Sequence, residues 1–134
     1  MSGDVWYLDT SAFVKLIQAE SESDALQTWL FERRYASSDL LRPEAIRVAR
    51  RAGTDVLARC RHALGALTLV RIDAAVFESA AELDPAVLRT LDAIHLATAR
   101  LLGDDLAGIV TYDRRMTEAG TRLGLEVTSP GMAI

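Results

Sequence analysis

Short apolar runs alternate with segments of helical periodicity along the whole chain, and no other feature limits the fold so strongly. "DVWYLD" (4–9), "YASS" (35–38), "LTLVRID" (67–73), "AGIVTYD" (107–113) and "LEVTS" (125–129) read as strands. Between them, "AFVKLIQAE" follows Ser11, a candidate helix cap, and residues 23–34 place Leu26, Trp29 and Leu30 on one helical face. Pro43 suits a first helical turn that ends at Gly53, and 54–67, 74–83, 91–103 and "RRMTEAGTRLG" continue the helical pattern. Ile94, Ala97 and Leu101 share a face of the 91–103 helix. Strand–helix alternation predicts an α/β fold, a parallel sheet covered by helices on both faces. In such sheets the functional crevice lies outside the carboxyl ends of the strands. The 134 residues suit a single domain, 1–134, around one core.

Composition narrows the function classes. Half of the residues are hydrophobic and a quarter are charged, an ordinary globular balance. No apolar run reaches the roughly 20 residues of a membrane-spanning helix, and Asp4 interrupts any secretion leader. The single cysteine, Cys60, reads as a small apolar helix residue, and a lone thiol fits a reducing cytoplasm. A net charge of −4 speaks against wholesale attraction to nucleic acid, yet Lys15 is the only lysine among 15 basic residues. The rest are arginines, which fork phosphate in a bidentate manner.

The acids carry the chemistry. Asp9 ends the first strand and Asp113 ends "GIVTYD", so both belong at the same sheet edge. Asp92 opens one helix and Glu44 lies in the first turn of another; helices that follow strands start at that edge too. Taken singly, each acid has an ordinary reading as a cap, a turn residue or a dipole partner. Capping alone does not explain why two apolar runs both terminate in aspartate.

Convergence has an electrostatic cost: two like charges about 4 Å apart repel by roughly 4 kcal/mol at an effective dielectric near 20. Four acids in one pocket need protonation or a neutralising cation, and Mg²⁺ or Mn²⁺ prefers such oxygen ligands. Zinc has no ligand set here, with one cysteine and with His62 and His95 far apart in the chain. An open carboxylate cluster of this kind suits phosphate chemistry with one or two ions. Thr10, Ser11 and Thr111 flank the strand-end acids and can orient a carboxylate or a water. His95 follows Asp92 by one helical turn; a packed or surface histidine is its ordinary reading, and lining the site is the alternative.

"YLDTSAFVKL", the glutamate of "RPEAIRVARR", "LRTLDAIHLATA" and "IVTYDRRMTEAGTRLGLEV" together resemble the PIN domain, and more narrowly the VapC-type toxins of bacterial toxin–antitoxin pairs. The resemblance runs from residue 7 to about 130. It implies a PIN-like three-layer sandwich and a Mg²⁺- or Mn²⁺-dependent endoribonuclease, a hydrolase of RNA phosphodiester bonds. It implies an acidic quartet, catalytic and metal-binding, at Asp9, Glu44, Asp92 and Asp113. The family's small hydroxyls fall on Thr111 and on Thr10 or Ser11. Where some relatives carry a further acid, this chain has Arg114, Arg115 and Met116, which leaves fewer ligands for a second metal. The resemblance also implies a small VapB-like antitoxin whose arm covers the site, and a toxin homodimer joined into a heterotetramer or larger assembly. An apolar groove at Trp29, Leu30 and Phe31 is a candidate seat for that arm, with core packing as the alternative. Arg47, Arg50, Arg114 and Arg115 are candidate contacts for RNA phosphates or for the antitoxin.

Other classes remain. A non-catalytic RNA- or protein-binding module on the same fold would not need four acids. A Mg²⁺-dependent phospho-receiver would need adjacent acids after the first strand and a lysine late in the sheet, where this chain has Asp9-Thr10-Ser11 and only Lys15.

Overall fold

The computed structural model describes residues 3–132. Five strands, β1 (Val5–Leu8), β2 (Arg34–Ser38), β3 (Thr68–Val70), β4 (Leu106–Val110) and β5 (Val127–Thr128), form one parallel sheet in the order β3-β2-β1-β4-β5. The connecting helices are α1 (Thr10–Ile17), α2 (Ser23–Leu30), α3 (Leu41–Ala52), α4 (Thr54–Ala66), α5 (Ala74–Ala81), α6 (Thr90–Arg100) and α7 (Arg114–Arg122). The chain winds from β1 outward through β2 to β3, then returns to lay β4 on the other side of β1. The winding direction therefore reverses between β1 and β4, and a crevice opens there at the strand carboxyl ends.

Alternation along the central strands sets the layers. Register pairs Tyr7 with Ile109 and Leu8 with Val110. Tyr7 and Ile109 pack against Leu96 and Ala99 of α6 and Met116 and Ala119 of α7. One residue along, Leu8 and Val110 face the other way, onto Ala12 of α1 and Leu26 and Leu30 of α2. Phe13 and Ile17 of α1 join Leu41, Ala45, Cys60 and Leu64 of α3 and α4 in a further apolar cluster, so Cys60 is the buried apolar residue its context suggested. Helix α6 is buried at every position from Ala93 to Ala99, as a helix rich in alanine can be when it lies between the sheet and α5.

Several boundaries differ from the sequence reading. Helix α2 stops at Leu30, and Glu32, at φ 66°, turns the chain so that β2 begins at Arg34. Of the residues Trp29, Leu30 and Phe31, Leu30 is core, Trp29 is half-buried and stands edge-on to Trp6 at 4.8 Å, and Phe31 is 74% exposed. The Arg33 guanidinium covers the Trp29 ring at 4.2 Å. Leu101 falls past the end of α6 and is exposed. Strand β4 ends at Val110, so Asp113 lies beyond the strand. Among the described residues no helix is long and apolar enough to cross a membrane. The ends of the expected 1–134 domain, residues 1–2 and 133–134, lie outside the described residues.

Candidate active site

Asp9 follows the last residue of β1 and is 3% exposed. It is itself the cap of α1, in place of Ser11: its Oδ1 accepts the Ala12 backbone N–H at 3.0 Å and the Ser11 hydroxyl at 2.7 Å. Its Oδ2 accepts the Thr111 hydroxyl at 2.5 Å. Burial pushes the Asp9 carboxyl above its ordinary value, against the lowering effect of the Thr111 and Ser11 hydrogen bonds. Ser11 Oγ also accepts the Tyr112 N–H at 2.9 Å, and Thr111 Oγ1 accepts the Asp113 N–H at 3.1 Å. Two hydroxyls thus tie the end of β1 to the end of β4.

Asp113 caps α7, its Oδ1 accepting the Arg115 N–H at 2.8 Å. Capping therefore does account for both strand-end aspartates, contrary to the sequence reading. It uses one oxygen of each and leaves the other for a different partner.

Glu44 projects from the first turn of α3, which follows β2 directly. Its Oε1 accepts the Thr10 hydroxyl at 2.6 Å and meets His95 Nε2 at 2.8 Å. His95 Nδ1 lies 2.6 Å from the buried Tyr7 hydroxyl, and Nε2, on the far side of the ring, is left facing Glu44. Burial opposes ionisation of Glu44, but the His95 and Thr10 hydrogen bonds, aided by the charge interaction with His95, outweigh it and hold the carboxyl below its ordinary value. His95 is thus both packed and part of the site, two readings that the sequence set against each other.

Asp92 sits in the first turn of α6, but not because that helix follows a strand. Helix α6 follows α5 and the 82–89 connection, then leads through a 3₁₀ turn into β4, so its N-terminus lies at the carboxyl edge of the sheet. Arg89, the residue before α6, donates through Nε to Asp92 Oδ2 and through Nη2 to Asp113 Oδ2, each at 2.9 Å. Hydrogen bonding and charge from Asp92 first, then from Asp113, raise the guanidinium above its ordinary value.

These residues line one cavity of about 300 Å³: Asp9, Glu44, Asp92 and Asp113, with Thr10, Ser11, His95 and Arg89 among its walls. All four expected acids are brought together from four separate segments. The repulsion among them is met in three ways, by the Arg89 cation, by the hydrogen bonds to Glu44 and by the raised pKa of Asp9. Among the described residues no three acidic, histidine or cysteine side chains already stand at the spacing of shared metal ligands. The donor set nonetheless fits a hard cation, since it is all carboxylate and hydroxyl oxygen and already draws a guanidinium between two of its members.

The four arginines named from sequence are not equivalent. Arg47 and Arg50 line a separate cavity with Arg51 and are not among the residues lining the acid cavity. Arg114 is exposed at the start of α7, and Arg115 lines an adjoining cavity that shares Arg89 and Asp92 with the acid site. Arg89 and Tyr7 were missed. Arg89 stands just before the helix, three residues ahead of Asp92, and its reach to Asp113 leaves no local signal; Tyr7 reads only as a strand residue until β1 faces α6. Lys15 is paired with Glu20 and Glu22 and is not in the cavity, so the lysine a phospho-receiver needs is missing from it.

The PIN domain family model matches residues 6–121. Ribonuclease VapC46 of Mycobacterium tuberculosis is 48% identical over 125 residues, covering 92% of this chain and 96% of that protein. Ribonuclease VapC35 of the same species is 44% identical over 132 residues (95% and 98%), and Ribonuclease VapC47 is 38% identical over 131 (93% and 96%). In fold, the crystal structure of Mycobacterium tuberculosis VapC20, a sarcin–ricin-loop-cleaving toxin, matches with a TM-score of 0.69 at 18% identity, over 86% of this chain and 95% of that one. The chain belongs to the PIN domain family, and within it to the VapC type.

Proposed function

We propose that the protein is the toxin of a type II toxin–antitoxin pair, an endoribonuclease that hydrolyses RNA phosphodiester bonds with Mg²⁺ or Mn²⁺ at Asp9, Glu44, Asp92 and Asp113. The observation that carries this reading is the gathering of these acids, from four segments, on one cavity at the β1–β4 switch point. The sequence relatives, each named a ribonuclease, support RNA as the substrate.

When bound there, a hard divalent ion supplies a nucleophile from water near neutral pH and offsets charge developing on the phosphate. The chain's own residues fix the ligands. Thr111 and Ser11 hold both oxygens of Asp9, so this carboxylate has a single orientation. Thr10 and His95 hold one oxygen of Glu44 and leave the other unused by them. Asp92 and Asp113 line the same cavity, with an oxygen of each engaged by Arg89. A VapB-like antitoxin is the partner this reading implies, with a homodimer and a heterotetramer or larger assembly in the cytoplasm.

The test uses total RNA, with Mg²⁺ or with chelator, and maps the cut ends. Wild type cleaves only with the metal, and a folded Asp9→Asn variant does not cleave. Cleavage by Asp9→Asn in metal-free buffer overturns the site.

A further inference from the structure

Arg89 stands on the wall between two cavities. It lines the acid cavity, where among the described lining residues it is the only one with a permanent positive charge. It also lines the adjoining cavity of about 480 Å³, whose walls include Arg115, Arg122 and the single opposing carboxylate Glu118, besides the shared Asp92. Its guanidinium bridges Asp92 and Asp113 at 2.9 Å each, through oxygens of two acids proposed as metal ligands.

A guanidinium and a dication compete for the same carboxylate oxygens. They would lie within a few ångströms of each other, and like charges at that range repel strongly in a partly enclosed site. The dication concentrates twice the charge at a point, and oxygen is its preferred ligand, so it has the advantage over a fork of delocalised charge. The side chain of Arg89 is 52% exposed, and the residue precedes α6 rather than lying within it. Its stem is therefore able to swing without disturbing the core. A free guanidinium fork matches two oxygens of a phosphate.

We propose that Arg89 is a resident counter-ion of the acid cavity that a divalent ion displaces, and that the displaced guanidinium then holds an RNA phosphate at the rim shared with the Arg115–Arg122 cavity. The proposal rests on the divalent ribonuclease reading above and adds a substrate-contacting residue to it. It makes RNA grip depend on metal occupancy: without metal, Arg89 is spent on Asp92 and Asp113, and with metal it turns to the substrate.

Two binding measurements on the full chain test it, neither of which reads cleavage. Calorimetric titration of Mn²⁺ without RNA compares wild type, Arg89→Gln and Arg114→Gln. Arg114, exposed beside Asp113 but in no ion pair with the acids, reports the general effect of losing a nearby charge. Arg89→Gln is expected to bind Mn²⁺ roughly fivefold more tightly than wild type, the order of effect of two half-exposed ion pairs; Arg114→Gln is expected to change little. The second measurement is fluorescence anisotropy of a slowly hydrolysed phosphorothioate RNA hexamer, with and without Mn²⁺. Mn²⁺ is expected to tighten wild-type binding several-fold more than it tightens Arg89→Gln, while the two proteins bind alike without metal. Wild type that binds Mn²⁺ while Arg89→Gln, with an unchanged melting temperature, binds it no more tightly overturns the counter-ion role alone. Equal Mn²⁺ enhancement of RNA binding in both proteins overturns the phosphate role. Wild type with no saturable Mn²⁺ binding removes both this proposal and the metal site beneath it.

Discussion

Tyr7 and His95, 88 residues apart in sequence, meet at 2.6 Å between the Tyr7 hydroxyl and His95 Nδ1, and this contact turns the far side of the ring toward Glu44. A strand residue buried on the α6 face of the sheet thereby fixes the donor that a carboxylate in the cavity receives. Tyr7→Phe leaves the buried Nδ1 without its partner, and the expected loss is about 1–2 kcal/mol of unfolding free energy by urea titration. His95→Ala removes the donor to Glu44, the acceptor of the Tyr7 hydroxyl and a buried ring, so about 2–4 kcal/mol is expected. Both variants should also cleave RNA more slowly at saturating Mg²⁺, with His95→Ala the slower.

Asp9 should show the tension between stability and function. Its folded pKa is raised by burial, so the folded chain keeps this proton to a higher pH than the unfolded chain does. The associated stability is complete below about pH 3.9, the ordinary aspartate value, and is lost as pH rises through the raised folded value. Asparagine cannot ionise and can still accept from Ala12 and Ser11. Asp9→Asn is therefore expected to be inactive yet more stable than wild type near pH 7 by about 1 kcal/mol, some 4 °C in Tm. The two melting curves should converge as the pH falls toward the ordinary carboxylate range; a less stable Asp9→Asn at neutral pH contradicts the assignment.

Glu44 has the opposite sign. Its folded pKa is depressed, so the ionised carboxylate adds stability above the ordinary glutamate value of about 4.3, and this is lost as pH falls through the lower folded value. Glu44→Gln is expected to be less stable than wild type at pH 7 by on the order of 1 kcal/mol, a modest figure because the side chain is partly exposed. The difference should vanish below the folded pKa. Thermal scans of the two proteins from acid to neutral pH measure it directly.

Mn²⁺ should stabilise the folded protein saturably. One site filled at a hundred times its Kd adds about 2.7 kcal/mol, and the rise in Tm reads it without RNA. Asp92→Asn and Asp113→Asn are each expected to weaken this rise strongly. A rise of wild-type size in both variants removes these two acids from the metal site.

Gly108 tests the packing beneath the site. A Cβ there would stand 2.6 Å from both the Glu126 carbonyl oxygen and the Trp6 ring. The carbonyl belongs to backbone that cannot turn aside, so Gly108→Ala is expected to cost about 2–3 kcal/mol and to loosen β5 from β4. Faster amide exchange at Ile109, whose N–H is donated to Glu126 at 2.8 Å, is the local readout.

The parallel α/β class and the succession of elements were legible in the sequence, as were the four acids that the fold brings to one cavity, because these follow from local periodicity and from carboxylates placed at apolar run ends and helix starts. Details that depend on neighbours were not legible there. Trp29 reads equally as a groove or a core residue until Trp6 stands against it, and Ser11 reads as a helix cap until Asp9 is seen to hold the Ala12 N–H. Strand order, and with it the crevice between β1 and β4, was decided only in three dimensions, since any permutation of five parallel strands has the same local pattern. The partners of the acids were decided there as well. Arg89 reaches Asp113 across 24 residues, and Thr111 reaches Asp9 across 102. Hydrogen bonds and ion pairs of that span leave no trace in local spacing; they exist because backbone pairing and core packing bring distant segments to one edge of the sheet.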